Sequence, residues 1–228
     1  MPLTRKQLNM FRDGLSLHEL CSTTEGLMLW MENQTACRKA RNAYLESIEA
    51  PTGITTYYVT GKQAFRAAIA LAQYLFPEHQ GSNLCYQVPN RGNRFKEYDG
   101  EPVLIWHNYD AQYILKKDGV LGFQQLFDTR KVPRKQDMRL VHSINIIVND
   151  ESFEQFTDTL VNAEVKRYDS KPDAARDEIC KRIPFVVNVN TEECVISQNA
   201  ALLPGRPSYH AQYVPFKKIP LPENFMQR

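Results

Sequence analysis

The spacing of apolar residues changes after residue 50, and the change predicts two kinds of structure. Within residues 1–50, apolar and small side chains recur at helical spacing, most clearly at Ala40, Ala43, Tyr44 and Ile48. Pro51-Thr-Gly53 interrupts this pattern and predicts a boundary. Beyond it, short β-branched or aromatic runs alternate with amphipathic stretches, which is typical of an α/β sheet. The sequence therefore predicts an α/β core preceded by an N-terminal helical segment.

The α/β part divides at recognisable stop signals. Continuous apolar or β-branched runs are typical of buried strands, and they predict strands over 55–60, 84–88, 102–106, 143–149 and, as the last one, 184–189. Amphipathic stretches predict helices over 63–76, from 153 onward and over 172–183. Beyond Leu202, five prolines in twenty-one residues predict an extended, irregular chain. The predicted organisation is a helical segment (1–50), an α/β core (51–200) and a Pro-rich irregular tail (201–228).

The composition excludes several classes of protein. With 43% hydrophobic and 24% charged residues among 228, the chain is not intrinsically disordered as a whole. No apolar run approaches the roughly 18 to 20 residues of a membrane span, and no signal-peptide pattern opens the sequence. The five cysteines are scattered without a CxxC pair, so reduced thiols and a cytoplasmic location are expected. Because the five histidines have no metal-ligand spacing with the cysteines, no metal site is predicted.

The formal net charge of +2 conceals regions of opposite sign. Residues 126–142 contain five basic and two acidic residues, a net charge of +3, whereas residues 150–180 contain nine acidic and four basic residues, a net charge of −5. The basic residues lie around a proline, which predicts a loop or hairpin tip that could reach phosphates; they are Arg130, Lys131, Arg134, Lys135 and Arg139. The alternative interpretation of the basic segment is a surface loop exposed to solvent. The acidic segment 150–180 is explained by a helix face exposed to solvent.

Gly61-Lys62-Gln63 lies between a predicted strand and a predicted helix, which is where a P-loop binds phosphates. In such a loop, glycines let backbone N–H groups surround the anion, a lysine reaches the β- and γ-phosphates, and a Ser or Thr binds Mg²⁺. The sequence offers one glycine and the lysine, but the full GxxxxGK[ST] pattern is absent. A simple strand-to-helix turn is therefore the alternative interpretation.

The ends of the next two core strands carry the remaining candidate residues. An ATPase of the P-loop class places paired carboxylates after such a strand to hold Mg²⁺ and to orient water. Here the strand ends in His107-Asn108, and Asp110 could contribute only through a shifted geometry. Asn149 closes the following strand, where a polar side chain would approach a γ-phosphate, although Asn is also a common turn former.

Taken together in their order along the chain, several runs resemble the superfamily-three helicase domain of bacterial plasmid rolling-circle replication initiators (Rep proteins). That domain is related to the Rep helicases of small circular single-stranded DNA viruses. The resemblance covers about residues 35 to 220 and rests on the runs Tyr57-Tyr-Val-Thr-Gly-Lys62, Ala70-Leu-Ala-Gln-Tyr-Leu-Phe-Pro77, Tyr98-Asp-Gly-Glu-Pro-Val-Leu-Ile-Trp106, Phe127-Asp-Thr-Arg130, Arg134-Lys-Gln136, Ser143-Ile-Asn145 and Arg182-Ile-Pro-Phe185.

The resemblance implies a P-loop NTPase-like, AAA+-like core that uses ATP and Mg²⁺, forms a homo-oligomeric ring and acts on plasmid or single-stranded DNA. It also implies a separate nuclease domain upstream and an oligomerisation role for residues 1–50. Carried over by position, Lys62 lies near the phosphate loop, Asn149 is the sensor residue and Arg130–Arg139 form the hairpin that contacts DNA. The sequence departs from the family at the shortened glycine loop and at His107-Asn108, which replace the acidic pair. These departures leave open a non-catalytic DNA-binding or assembly module descended from such a helicase.

Overall fold

In the computed structural model of the protein, a seven-stranded sheet lies between layers of helices. The structure describes residues 22–49, 51–79, 84–90, 94–95, 98–117, 119, 140–203 and 212–221. In chain order, its elements are α1 (Thr24–Ser47), β1 (Thr55–Gly61), α2 (Ala64–Leu75), β2 (Cys85–Gln87), β3 (Val103–His107), α3 (Ala111–Lys117), β4 (Ile144–Asn149), α4 (Phe153–Tyr168), α5 (Pro172–Arg182), β5 (Phe185–Val189), β6 (Glu193–Asn199), a 3₁₀ turn (Ala200–Leu202) and β7 (Tyr213–Pro220).

The strand order is β2-β3-β4-β1-β5-β6-β7. The first five strands in this order are parallel, and β6 and β7 extend the sheet as antiparallel neighbours of β5. β1 is central, since Tyr57 pairs with Ile146 of β4 on one side and with Phe185 of β5 on the other. The protein is therefore an α/β structure with a mostly parallel sheet, as the alternation of strands and helices predicted.

Helices cover both faces of the parallel strands, and each face has its own apolar core. On one face, α2 packs over Val59, Ile105 and Val148. On the other face, α3, α4, α5 and the end of α1 pack around a cluster that includes Tyr58 and Trp106. Burial on both faces explains why these strands are continuous apolar runs in the sequence.

The helix boundaries follow from local chemistry. Ser152 caps α4 through a capping box, in which its hydroxyl accepts from the Gln155 N–H while the Gln155 side chain accepts from the Ser152 N–H. Pro172 occupies the first turn of α5, where its missing N–H has no helical partner to lose. Both starts agree with the sequence prediction. Among the described helices, none is long and apolar enough to cross a membrane.

Two strands beyond Val189 were not predicted. The pattern of the sequence predicts a last strand at 184–189, but residues 193–199 form a further strand, β6. It also predicts an irregular chain beyond Leu202, but residues 213–220 form β7. β7 is an edge strand with a register shift opposite Ile196 and Ser197, and it contains Pro215. Because an edge strand pairs on one side only, it tolerates proline, so Pro215 and Pro220 did not mark irregular structure.

Candidate functional site at the carboxyl edge of the parallel strands

The candidate residues from three separate parts of the sequence come together at one edge of the sheet. β4 lies between β1 and β3, and all three strands are parallel, so their carboxyl ends are adjacent. Gly61, Asn149 and His107 end these three strands. β1 leads into α2 on one face of the sheet, and β4 leads into α4 on the other face. In open α/β folds, ligands commonly bind at the strand ends where the chain leaves toward opposite faces in this way.

The turn after β1 is shaped by its contact with β5. Gly61 has a φ of +107°, and a Cβ atom built on it would lie 2.1 Å from the carbonyl oxygen of Val189. The next N–H, that of Lys62, donates to the same oxygen at 3.1 Å. Gln63 adopts a left-handed conformation, and α2 begins at Ala64. The connection between strand and helix thus spans only Lys62 and Gln63, and the glycine is needed by β5.

The end of β3 also turns sharply. Asn108 adopts a left-handed conformation with a φ of +55°, and its N–H donates to the carbonyl oxygen of Val148 at 2.9 Å. The His107 ring packs against the Phe65 ring in the first turn of α2, with centroids 4.6 Å apart. The carbonyl oxygen of His107 accepts from Asn90 Nδ2 at 3.0 Å. His107 therefore joins β3 to α2, while the Asn108 side chain is exposed.

Asn149 is buried and connects the two strand ends beside it. Its Nδ2 donates to the carbonyl oxygen of Tyr109 at 2.9 Å. This contact fixes the turn after β3 to the end of β4, which is a structural use of the amide. The resemblance implies a sensor role for Asn149 at the end of β4. In the structure, the Nδ2 atom of this residue has a partner within the protein.

Glu151 is the residue at this edge that sequence reasoning missed. Its carbonyl oxygen accepts from Tyr58 Oη and from Thr60 Oγ1, each at 2.9 Å. Its Oε1 accepts from the N–H of Ala111 at 3.0 Å. Burial and the nearby charge of Asp110 raise the pKa of the Glu151 carboxyl above its ordinary value, and the Ala111 N–H partly offsets this. The sequence signal was the Asp150-Glu-Ser run, which lies directly before the helix predicted from residue 153 onward.

Asp110 has a similar role. Its Oδ1 accepts from the N–H of Tyr113 at 2.7 Å and so caps the start of α3 beside Glu151. The Asp110 and Glu151 carboxylates are therefore both engaged by backbone N–H groups of one short helix, whereas Asp150 is exposed. Within the described part of the chain, no group of three or more His, Cys, Asp or Glu side chains could hold a metal ion.

Burial disfavours the thiolate form of the three cysteines whose side chains the structure describes. Cys85, Cys180 and Cys194 are free thiols, and burial raises the pKa of Cys85 and of Cys180 to about 11. A thiol with such a pKa is protonated near neutral pH, and the thiolate is the reactive form. The exposed groups at the carboxyl edge include Lys62, Gln63, Asn108 and Asp150, which are one ammonium, two amides and one carboxylate.

The predicted nucleic-acid residues Arg130, Lys131, Arg134, Lys135 and Arg139 lie outside the described residues. The chain is described again from Leu140, which is fully buried, as is His142. The Val141 N–H donates to Tyr98 Oη at 3.1 Å. The basic segment is thus followed directly by a fixed, buried anchor that leads into β4.

A scan against models of known protein families gives no match to this chain, and a search among curated proteins gives none either.

Proposed function

We propose that the chain is a helicase-like module of a rolling-circle replication initiator that contacts DNA and has lost the nucleotide chemistry of that family. The observation that carries the proposal is the meeting of three strand ends. β4 lies between β1 and β3, so Gly61-Lys62, Asn149 and His107-Asn108 lie side by side at the positions that the resemblance to superfamily-three helicases requires. This arrangement supports a P-loop-like, AAA+-like ancestry for the sheet.

The short turn after β1 supports the proposed loss of nucleotide binding. A phosphate-binding loop needs several free backbone N–H groups directed at the anion. Here the connection has two residues, and the Lys62 N–H is already bonded to Val189. A phosphate bound by the Lys62 N–H would have to displace its bond to Val189 of β5. The described residues therefore do not fit an ATP phosphate chain at this turn.

The magnesium ion of such an enzyme also lacks its paired carboxylate ligands after β3. Mg²⁺ prefers carboxylate and other oxygen ligands, and the acidic pair expected after β3 is replaced by His107-Asn108. Of the carboxylates at this edge, Asp110 and Glu151 accept hydrogen bonds from the backbone of α3, and Asp150 after β4 is exposed. The described residues hold no group of three or more His, Cys, Asp or Glu side chains that could bind the ion. The non-catalytic DNA-binding or assembly module is accordingly the form of the family that the geometry favours.

Contact with DNA is assigned to the basic segment Arg130–Arg139. Each Lys or Arg that pairs with a phosphate of a single strand contributes about 0.7 to the slope of log affinity against log salt concentration. We expect the wild-type chain to bind a fluorescent 20-nucleotide oligothymidine. The variant with Arg130, Lys131, Arg134 and Lys135 changed to Ala should bind weakly, with a slope smaller by up to about 3.

A matched control removes four basic side chains elsewhere on the surface. Lys116, Lys166, Arg167 and Lys171 are all exposed, and their quadruple change to Ala alters the net charge by the same amount. Equal losses in the two quadruple variants would show that net charge alone attracts DNA, and the assignment of the basic segment would fail. An absence of DNA binding by the wild-type chain would overturn the proposed function.

ATP binding and ring formation are tested in two further experiments. Millimolar ATP with Mg²⁺ should leave the thermal midpoint of the wild-type chain unchanged and should not be hydrolysed. Hydrolysis that is lost in Lys62→Ala would contradict the proposed loss of nucleotide chemistry. Ring formation and a partner nuclease domain rest on the resemblance alone, and light scattering of the chain with and without oligothymidine tests the ring.

A further inference from the structure

A cluster of aromatic side chains and a lysine lies at the end of the sheet opposite the candidate site. Tyr57 and Phe185 stack with ring centroids 4.9 Å apart, and Phe216 of β7 packs against Phe185 at 6.4 Å. Lys217 lies over the ring of Tyr74 in α2, with Nζ 4.5 Å from the centroid and 2.7 Å from the hydroxyl oxygen. We call the surface formed by Tyr74, Phe185, Phe216 and Lys217 the aromatic–lysine surface.

A register shift explains why the consecutive residues Phe216 and Lys217 lie on the same face of β7, although consecutive residues of a strand normally face opposite sides. Lys217 pairs with Ile196 and Pro215 pairs with Ser197, so Phe216 has no partner residue on β6. The ring contacts place Phe216 and Lys217 on the α2 side of the sheet. Tyr74 and Phe216 are 61% and 65% exposed, which is unusually open for two aromatic rings that lie on the same side of a sheet.

The three elements that carry the surface, α2, β5 and β7, together contain three basic residues and no acidic residue. Lys218 is neutralised by Glu193 at 3.1 Å, but Lys217 contacts only the neutral Tyr74 hydroxyl among the described side chains and has no carboxylate partner there. The aromatic–lysine surface therefore offers flat rings beside an uncompensated positive charge, which complements a polyanion with exposed bases.

The edge of β7 itself is unsuited to strand addition. Pro215 and Pro220, the register shift and two lysines are the devices by which edge strands avoid pairing with another chain. The side-chain face of β7, and not its backbone edge, is thus what is open for recognition.

We propose that the aromatic–lysine surface binds single-stranded DNA, with bases stacked on Phe216 and Tyr74 and a phosphate paired with Lys217. The inference rests on the proposed function and adds a second contact to the basic segment. Tyr57 and Phe185 lie near the amino ends of their strands, and residues 140–143, which follow the basic segment in the sequence, lead into β4 at the same edge of the sheet. Four strand spacings separate β4 from β7, about 19 Å, which one short single strand can span.

The test compares two kinds of substitution in the full chain with the 20-nucleotide oligothymidine. Phe216→Leu keeps an apolar side chain against Phe185 but removes the flat ring, and it should weaken binding between about 5-fold and 150-fold without changing the salt slope. Lys217→Gln should weaken binding and reduce the slope by about 0.7. Phe216→Trp keeps a flat ring at this position and should bind the oligothymidine with about the wild-type affinity.

A matched aromatic and cation pair lies elsewhere on the molecule. Arg167 lies over the ring of Tyr168 at 5.2 Å, and that ring is 49% exposed. Tyr168→Leu and Arg167→Gln should leave the affinity unchanged. If wild-type binds but Phe216→Leu and Lys217→Gln behave like these controls, the aromatic–lysine surface is not a DNA site and the proposed function stands. If wild-type binds no oligothymidine, both proposals fail. Circular dichroism and thermal midpoints verify that each variant is folded.

Discussion

Replacing Gly61 by Ala tests how tightly the turn after β1 is fixed to β5. The added Cβ would lie 2.1 Å from the Val189 carbonyl oxygen, and the φ of +107° is one that side chains rarely adopt. Holding a non-glycine residue in such a conformation costs about 1–3 kcal/mol. Moving Val189 also breaks the Lys62 N–H bond, worth about 0.5–1.5 kcal/mol. We therefore expect Gly61→Ala to lower the free energy of unfolding by about 2–4 kcal/mol.

Urea denaturation followed by circular dichroism measures this loss, and the thermal midpoint should fall by roughly 5 to 15 °C. Gly53→Ala is the matched control, because a Cβ atom there meets nothing within 4 Å, and its effect should stay within about 0.5 kcal/mol. Lys62→Ala should also leave stability unchanged, since the bond to Val189 comes from the backbone. If Gly61→Ala and Gly53→Ala unfold at the same urea concentration, β5 does not require the glycine, and the argument against a phosphate loop loses its main support.

Three further substitutions test contacts around the sheet. Trp106→Phe removes the buried bond from Trp106 Nε1 to Asn145 Oδ1 (2.9 Å) and should cost about 1–3 kcal/mol in urea denaturation; an unchanged midpoint would contradict it. Ser152→Ala removes the cap of α4 and should cost about 1 kcal/mol by the same assay, more than Thr159→Ala. Because the pKa of Glu151 is raised in the folded protein, ionisation lowers stability as pH rises above the ordinary value of 4.5. Glu151→Gln should therefore be more stable than wild type at pH 7 but not at pH 4, and an equal difference at both values would refute this.

The parallel core was predictable from the sequence because its central strands, β1, β3 and β4, are buried on both faces. Runs such as Val103–Trp106 and Ile146–Val148 contain only apolar residues, so their pattern identifies a strand without knowledge of its neighbours. β7 was not predictable in this way, because most of its residues are exposed and Pro215 suggested irregular structure. Its strand character depends on pairing with β6, which a local pattern does not report.

The candidate site was predictable as a set of strand ends but not as a working arrangement. Position along the chain identified Gly61, Asn149 and His107-Asn108. The shape of the turn at Gly61 depends on Val189, which lies far away in the sequence. The contacts of Glu151 likewise join it to Tyr58 and Thr60 of β1 and to Ala111 at the start of α3. Such long-range contacts decide whether a polar residue faces a ligand or the backbone.

The central place of β1 has a consequence for how the protein is made. β1 ends at Gly61, but its two neighbours begin at Ile144 and Phe185. At a synthesis rate of about 5–20 residues per second, roughly 4 to 17 seconds pass before the first neighbour is translated. During that time Tyr57-Tyr-Val59, an apolar and strongly β-forming run, has no strand to pair with. The yield of folded protein in a cell is therefore expected to depend on how this nascent segment is protected from aggregation, more than on the stability of the finished sheet.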